Sequence, residues 1–156
     1  MNELLQIHQY LPHQKPMLMV DGIRQITSEG VECEFFVSPE SVFVENGFLS
    51  ESGLIENAAQ SASCIVAQSY YLEETQNSVI GFISSIRSVT ICHKPPAGSI
   101  IVTKAVLLSR FDSENYSTCR VQCRTFQEEI LLLEGEINLF IQEQGNEKGR
   151  STPGQE

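Results

Sequence analysis

Glu56 is the residue whose type and position could do chemistry. It is the one carboxylate in Leu54 to Tyr71, LIENAAQSASCIVAQSYY, a stretch otherwise apolar or neutral. A carboxylate one turn into a buried helix, beside apolar surface, can donate or accept a proton. A solvated first-turn acid, favoured by the positive helix end, is the competing reading of the same residue. Gln60 stands four residues on and shares a helix face with Glu56. It could orient the carboxylate or bind substrate; a core-edge amide is its plain alternative. Backbone N–H groups near Gly53 and Leu54 could polarise a substrate carbonyl, and Gly53 would allow close approach. Asn46 could hold a carbonyl oxygen or a hydroxyl, although Asn46-Gly47 is also an ordinary turn pair. His13, shortly before Pro16, reads first as a packing or capping residue.

The elements that must position these groups follow from periodicity. Ala58, Ala59, Ala62 and Ala67 recur along the central stretch, so a sheet can approach it from more than one side. Ser50 is a plausible N-cap with Glu51 behind it, and the helix should run to about Glu73. Residues 3–10 read as a short helical lead-in ending at Leu11-Pro12. Met17 to Thr27 and Val31 to Val37 read as a hairpin around Ser28-Glu29-Gly30. Ser38 to Gly53 reads as irregular. Four long strands should follow, at 79–92, 99–111, 116–126 and 130–141, as an antiparallel meander. One long helix against one curved antiparallel sheet of five to six strands is an α+β solution. A single domain over 1–141 is expected, with a disordered tail over 142–156. Edge strands would be covered by pairing two protomers.

Totals narrow the function classes. The chain has 156 residues and a net charge of −10, with no basic run, which argues against nucleic acid as a partner. The first twenty residues lack a basic start and an apolar core, so no signal peptide is expected. No apolar run approaches the ~20 residues of a membrane span. A cytoplasmic protein is expected. Cys33, Cys64, Cys92, Cys119 and Cys123 form no CxxC pair and read as buried free thiols. His8, His13 and His93 make no ligand motif, and no metal or redox cofactor is implied. His8 reads as a surface residue. His93-Lys94, before Pro95-Pro96, reads as a solvated sheet-end turn, with a phosphate group as the functional alternative.

Three segments carry a family resemblance. Leu11 to Asp21, LPHQKPMLMVD, is similar to an LPH-x-x-P-x-L-L-V-D pattern. Glu56 to Gln60, ENAAQ, is similar to E-x-x-A-Q. Gly81 to Gly98, GFISSIRSVTICHKPPAG, is similar to G-I-x-x-x-x-F-x-x-P-V-x-P-G-D, with Ser99 in place of the Asp. In this order they resemble the 3-hydroxyacyl-ACP dehydratase branch of the hotdog fold. Val42 to Gln60, VFVENGFLSESGLIENAAQ, further resembles a divergent subgroup associated with aryl polyene and flexirubin-type pigment pathways.

The resemblance implies a dehydratase acting on an acyl thioester, carried by acyl carrier protein or CoA, in fatty acid or polyene biosynthesis. It implies a homodimer, with assemblies of dimers or a heteromer with another hotdog chain also open, and an acyl tunnel at the subunit interface. Dehydratases of this family carry a loop His that removes the α-proton, while the helix carboxylate handles the β-hydroxyl. Here Phe43-Val44-Glu45-Asn46-Gly47 takes that loop's place and Asn46 falls near the His position. An amide is no base at neutral pH. If the chain dehydrates alone, His13 is the replacement base to test. A thioesterase, needing one carboxylate and a helix N-terminus, and a non-catalytic partner subunit are the alternatives.

Overall fold

The computed structural model describes residues 3–72 and 79–143. Its centre is α1 (Glu51–Leu72). Every residue from 57 to 67 is buried, which explains the small side chains: no face of this segment is left to solvent. Ser50 caps it as expected, its Oγ accepting the Gly53 N–H at 3.2 Å. The expected last residue, Glu73, lies outside the described residues.

Around the helix wraps a seven-stranded sheet. Its strands are β1 (Leu5–Gln6), β2 (Gly22–Ile26), β3 (Gly30–Phe36), β6 (Val79–Ile91), β7 (Ile100–Asp112), β8 (Tyr116–Gln127) and β9 (Ile130–Glu143). A separate small hairpin joins β4 (Val44–Glu45) to β5 (Phe48–Leu49). The sheet order is β1-β2-β3-β7-β8-β9-β6, and neighbours run antiparallel. One helix inside one curved antiparallel sheet is the hotdog arrangement. Alternation explains β3: Val31, Cys33 and Phe35 are buried, and Glu32 and Glu34 stay partly exposed. Bulges interrupt the β7–β8 and β6–β9 ladders and help the sheet bend around the helix.

Five expectations are corrected. The sheet gains a seventh strand because Leu5–Gln6 form β1, so the expected helical lead-in over residues 3–10 is shortened to one 3-10 turn, Ile7–Gln9. Met17 to Asp21 is not strand; its backbone polar groups at Met17 and Met19 are bound by side chains of α1 instead. The irregular 38–53 segment contains the β4–β5 hairpin, where Asn46 and Gly47 both take positive φ, 54° and 83°. That pair suits a two-residue hairpin loop. The four long strands are not one meander, since β6 pairs with β9 and not with β7. The Pro95-Pro96 connection cannot fold back as a ladder. It docks on the small hairpin, with Leu49 N–H donating to Pro95 C=O and Ala97 N–H to Gly47 C=O. Finally, Gln142 and Glu143 belong to β9; the rest of the expected tail lies outside the described residues.

Four cysteines are buried and Cys92 is exposed, so the expectation of burial fails for that one. Among the described residues no helix is long and apolar enough to cross a membrane. Ser61 is fully buried and its hydroxyl has no hydrogen-bond partner among the described residues. A buried unpaired hydroxyl costs stability. Ser61→Ala is therefore expected to stabilise the protein by about 1 kcal/mol, raising Tm by about 2–4 °C. A calorimetric Tm at or below that of the parent would contradict this.

The sheet has unequal edges. β1 is two residues long, whereas β6 runs for thirteen with one side unpaired among the described residues. Phe82 and Ile86 on β6 are 51% and 46% exposed.

Candidate active site

The site is built by tying the N-terminal segment onto α1. Gln60 Oε1 accepts the Met19 N–H at 2.8 Å, and Gln60 Nε2 donates to the Met17 C=O at 2.9 Å. Asn57 Nδ2 donates to the Met19 C=O at 2.6 Å. The Asn57 oxygen in turn accepts from the Thr103 hydroxyl at 2.6 Å, which lies 2.8 Å from that of Thr125. Both amides are buried and satisfied, which makes them expensive to remove. Asp21 closes the segment, accepting the Phe36 N–H on β3. The Leu11–Asp21 motif is thus a strap, and its consequence is to lay His13 over the first turns of the helix.

There His13 meets Glu56. His13 Nε2 lies 4.0 Å from Glu56 Oε1, with the two side chains 22% and 30% exposed. Gln60 Nε2 donates its second hydrogen to Glu56 Oε1 at 2.8 Å. One buried amide thereby fixes both the strap and the carboxylate. Burial holds the His13 imidazole below its ordinary pKa, and the neighbouring Glu56 charge opposes this only in part. Neutral imidazole is the favoured form, suited to accept a proton. His13, Glu56 and Gln60 share a cavity of about 30 Å³, walled by Ala59 and Ser63 of α1, by Gly81, Phe82 and Ile83 of β6, and by Leu139 of β9. Glu56 is therefore neither bathed in bulk water nor sealed away; it sits at a small recess beside the unpaired β6 edge.

Burial sets the His13 pKa apart in the folded and the unfolded chain. Its folded value is below its unfolded value, so protonation favours the unfolded chain. The stability from neutral His13 is present above the ordinary histidine value of about 6.5 and is lost as pH falls through the folded value. His13→Gln is expected to flatten this acid-side loss. Urea midpoints between pH 7.5 and pH 5 check it; parallel pH profiles for both proteins would refute it.

The other expected site residues lie elsewhere. Gly53 is buried, and a Cβ there would meet Leu49 Cδ1 at 2.6 Å and Phe43 Cβ at 2.8 Å. The close approach that needs a glycine is to its own small hairpin. The Gly53 and Leu54 N–H groups are both taken by Ser50, through Oγ and C=O respectively, and Leu54 is fully buried. Neither amide is a free donor in the protomer, which corrects the expectation that they polarise a carbonyl. Asn46 is exposed at the β4–β5 hairpin tip and does not line the Glu56 cavity of its own protomer. Lys94 Nζ lies 3.7 Å from Glu51 Oε1 at the helix start. Among the described residues no group of three or more His, Cys, Asp or Glu is placed to hold a metal.

Sequence reasoning missed Asn57 and the small wall residues Ser63 and Gly81. Asn57 stands inside the ENAAQ motif, between a candidate acid and a run of alanines, and that placement was its signal. Gly81 opens the third motif. Its signal was weak, because a strand glycine marks close approach without saying to what; here a Cβ would lie 3.2 Å from Ser63 Oγ.

Comparisons with known proteins bear on this geometry. A family model described as ApeP-like, ApeP dehydratase, matches residues 5–148. The dehydratase heterocomplex ApeI:P from Xenorhabdus doucetiae is similar at 22% identity, over 88% of this chain and 91% of that one, with a TM-score of 0.75. An uncharacterised protein from Pyrococcus horikoshii is similar at 17% identity, over 85% and 90%, with a TM-score of 0.62. A hypothetical thioesterase with coenzyme A from Streptococcus pneumoniae is similar at 14% identity, over 78% and 85%, with a TM-score of 0.55. These structural likenesses establish the fold. No curated protein sequence matches the chain.

Proposed function

This chain belongs to the ApeP-like dehydratase family, and from that premise we propose that it is one subunit of a dehydratase that removes water from a 3-hydroxyacyl thioester. The observation that carries the proposal is a site half built. Glu56, braced by Gln60 and flanked by His13, opens beside the unpaired edge of β6, while the Asn46 hairpin of the same protomer lies outside that cavity. A recess of about 30 Å³ is too small for an acyl chain. A second hotdog chain, aligned along β6, supplies the missing walls. The neighbouring solved structure, a dehydratase heterocomplex, supports a partner that is a different hotdog subunit. The Asn46 hairpin is then this chain's contribution to the partner's half of the assembly.

The chemistry divides as follows. A base removes the α-proton and the C–H electrons form the Cα=Cβ bond. The Cβ–O bond breaks, its oxygen takes the proton of the Glu56 carboxylic acid, and water leaves. In the heteromer the base comes from the partner's loop; in a homomer, His13 is the only histidine lining the cavity. The resemblance of the Val42–Gln60 segment to pigment-pathway proteins makes a polyene intermediate on a carrier protein the favoured substrate.

The test is reconstitution. The chain is purified alone and co-expressed with a second hotdog subunit that carries the loop His, and each preparation is given 3-hydroxyacyl carrier protein. Enoyl product from the complex, dependent on Glu56, supports the proposal. Free thiol in place of enoyl product would turn the reading to a thioesterase, and inactivity of both preparations would reject it.

A further inference from the structure

Three polar side chains lie in the core where α1 meets the sheet. Asn57, Thr103 and Thr125 are 1%, 0% and 0% exposed. Thr103 of β7 and Thr125 of β8 stand opposite each other in the ladder, and the inward-facing Ile101, Ala105 and Cys123 beside them are buried and apolar. Valine has the shape of threonine. Replacing both partners of a buried hydrogen bond by apolar groups of the same shape is nearly neutral or stabilising, so packing does not call for these hydroxyls. Donor accounting fixes what they do. The Met19 C=O can only accept, so the Asn57 atom 2.6 Å from it is Nδ2. The amide oxygen then faces Thr103 and takes that hydroxyl's one hydrogen at 2.6 Å. With that hydrogen engaged, Thr125 is the donor in the 2.8 Å contact between the two threonines. The bonds run one way, from Thr125 through Thr103 and Asn57, and end on the strap at the carbonyl of a fully buried residue. Met19 is gripped twice, since its N–H donates to Gln60 Oε1 at 2.8 Å. Asn57 and Gln60 are three apart and share a helix face. Gln60 also holds Met17 and Glu56, whereas Asn57 does not line the Glu56 recess.

We propose that Asn57, oriented by Thr103 and Thr125, is a positioning residue: through Met19 it seats the strap, and so sets His13 over Glu56 and leaves Gln60 to brace the carboxylate. The effect on rate rests on the dehydratase reading above; the seating of His13 does not. Without the Thr103 hydroxyl nothing holds the amide oxygen inward, and the Nδ2 bond to Met19 loses its fixed direction. Gln60 alone must then hold Met17, Met19 and Glu56. A strap that lifts exposes the His13 ring and draws Gln60 off the carboxylate.

The experiment compares three variants of the full chain. Thr103→Val removes the hydroxyl and keeps the shape, and Thr103→Ser returns it. Val121→Ala, at a fully buried position on β8 outside the network, is the control for lost packing. The first readout is the NMR titration of the His13 ring in the purified chain, assigned with His13→Gln. Glu56 is the charged group facing that ring. Burial holds His13 below the ordinary histidine value of about 6.5. Thr103→Val is expected to raise it toward that value, because burial, the larger influence, is relieved. Thr103→Ser should match the parent, and Val121→Ala should lower Tm without moving the titration. The second readout is turnover of the reconstituted complex. Thr103→Val is expected to lower kcat by about tenfold or more with KM within about twofold, as a misplaced group does, and Thr103→Ser to restore it. Should Thr103→Val not fold, Thr125→Val removes the next donor along and carries the same two readouts. A parent-like His13 titration in the folded valine variant, an equal shift in Val121→Ala, or an unchanged kcat in a complex that turns over would overturn the positioning role and leave the dehydratase reading standing. The expected His13 shifts beside a parent complex that turns nothing over would do the reverse.

Discussion

Glu56→Gln is expected to lower kcat of the reconstituted dehydratase by about 10²–10⁴-fold, the range for loss of a positioned general acid. The structure says why the effect should be chemical. Gln60 Nε2 donates to Glu56 Oε1, and the Gln side chain keeps an oxygen for that bond. The strap contacts at Met17 and Met19 do not involve residue 56. Tm and co-purification with the partner should therefore match the parent, while only proton delivery to the leaving oxygen is lost. KM should move little, because the carboxyl group is replaced by an isosteric amide. Steady-state kinetics on 3-hydroxyacyl carrier protein check the rate, and calorimetry checks the fold. A rate within twofold of the parent would remove Glu56 from the chemistry. A rate loss accompanied by a large drop in Tm would assign it a structural role.

The largest expected effect on stability comes from Gly135→Ala. Gly135 lies on β9, opposite Val89 of β6 and Cys123 of β8. A Cβ there would overlap the Ser88 carbonyl oxygen and approach Val89 Cα to 2.7 Å. These are backbone atoms in a ladder, so relief requires β6 to move away from β9. A cost of about 3 kcal/mol or more is expected, which lowers Tm by roughly 6–12 °C in a domain of this size. Function should follow, since β6 supplies Gly81, Phe82 and Ile83 to the recess at Glu56 and offers the unpaired edge. Gly30→Ala is the control. Its Cβ would meet Ala105 C=O at 3.4 Å, an ordinary contact, and a change of less than about 1 kcal/mol is expected. Thermal melts and partner pull-down measure both. Equal melts for the two variants would show that the β6–β9 seam is more compliant than its geometry implies.

Several features were legible from residue types alone because their causes are local. The small side chains of Leu54–Tyr71 identified a helix that must be wrapped, and Ser50 identified where it starts. Alternation at Val31, Cys33 and Phe35 identified a strand facing a core. The pairing of Glu56 with Gln60 follows from a spacing of four on a helix, and their hydrogen bond is found as that spacing requires.

What the tertiary structure decided depends on groups distant in the chain. Met17–Asp21 has strand-like residues, but Asn57 and Gln60, about forty positions away, bind its backbone first. The four late strands were legible singly, yet their order was not, because a proline-containing connection docks on a hairpin formed by residues 44–49. Gly53 and Leu54 looked available for a substrate until Ser50 was seen to take both N–H groups. His13 had no partner that its neighbours in sequence could reveal; the strap carries it to Glu56 across 43 positions. Residue type and short-range spacing set which segments become helix or strand and where an acid can stand. Long-range hydrogen bonds, formed only when helix and sheet close on each other, set which of those groups meet.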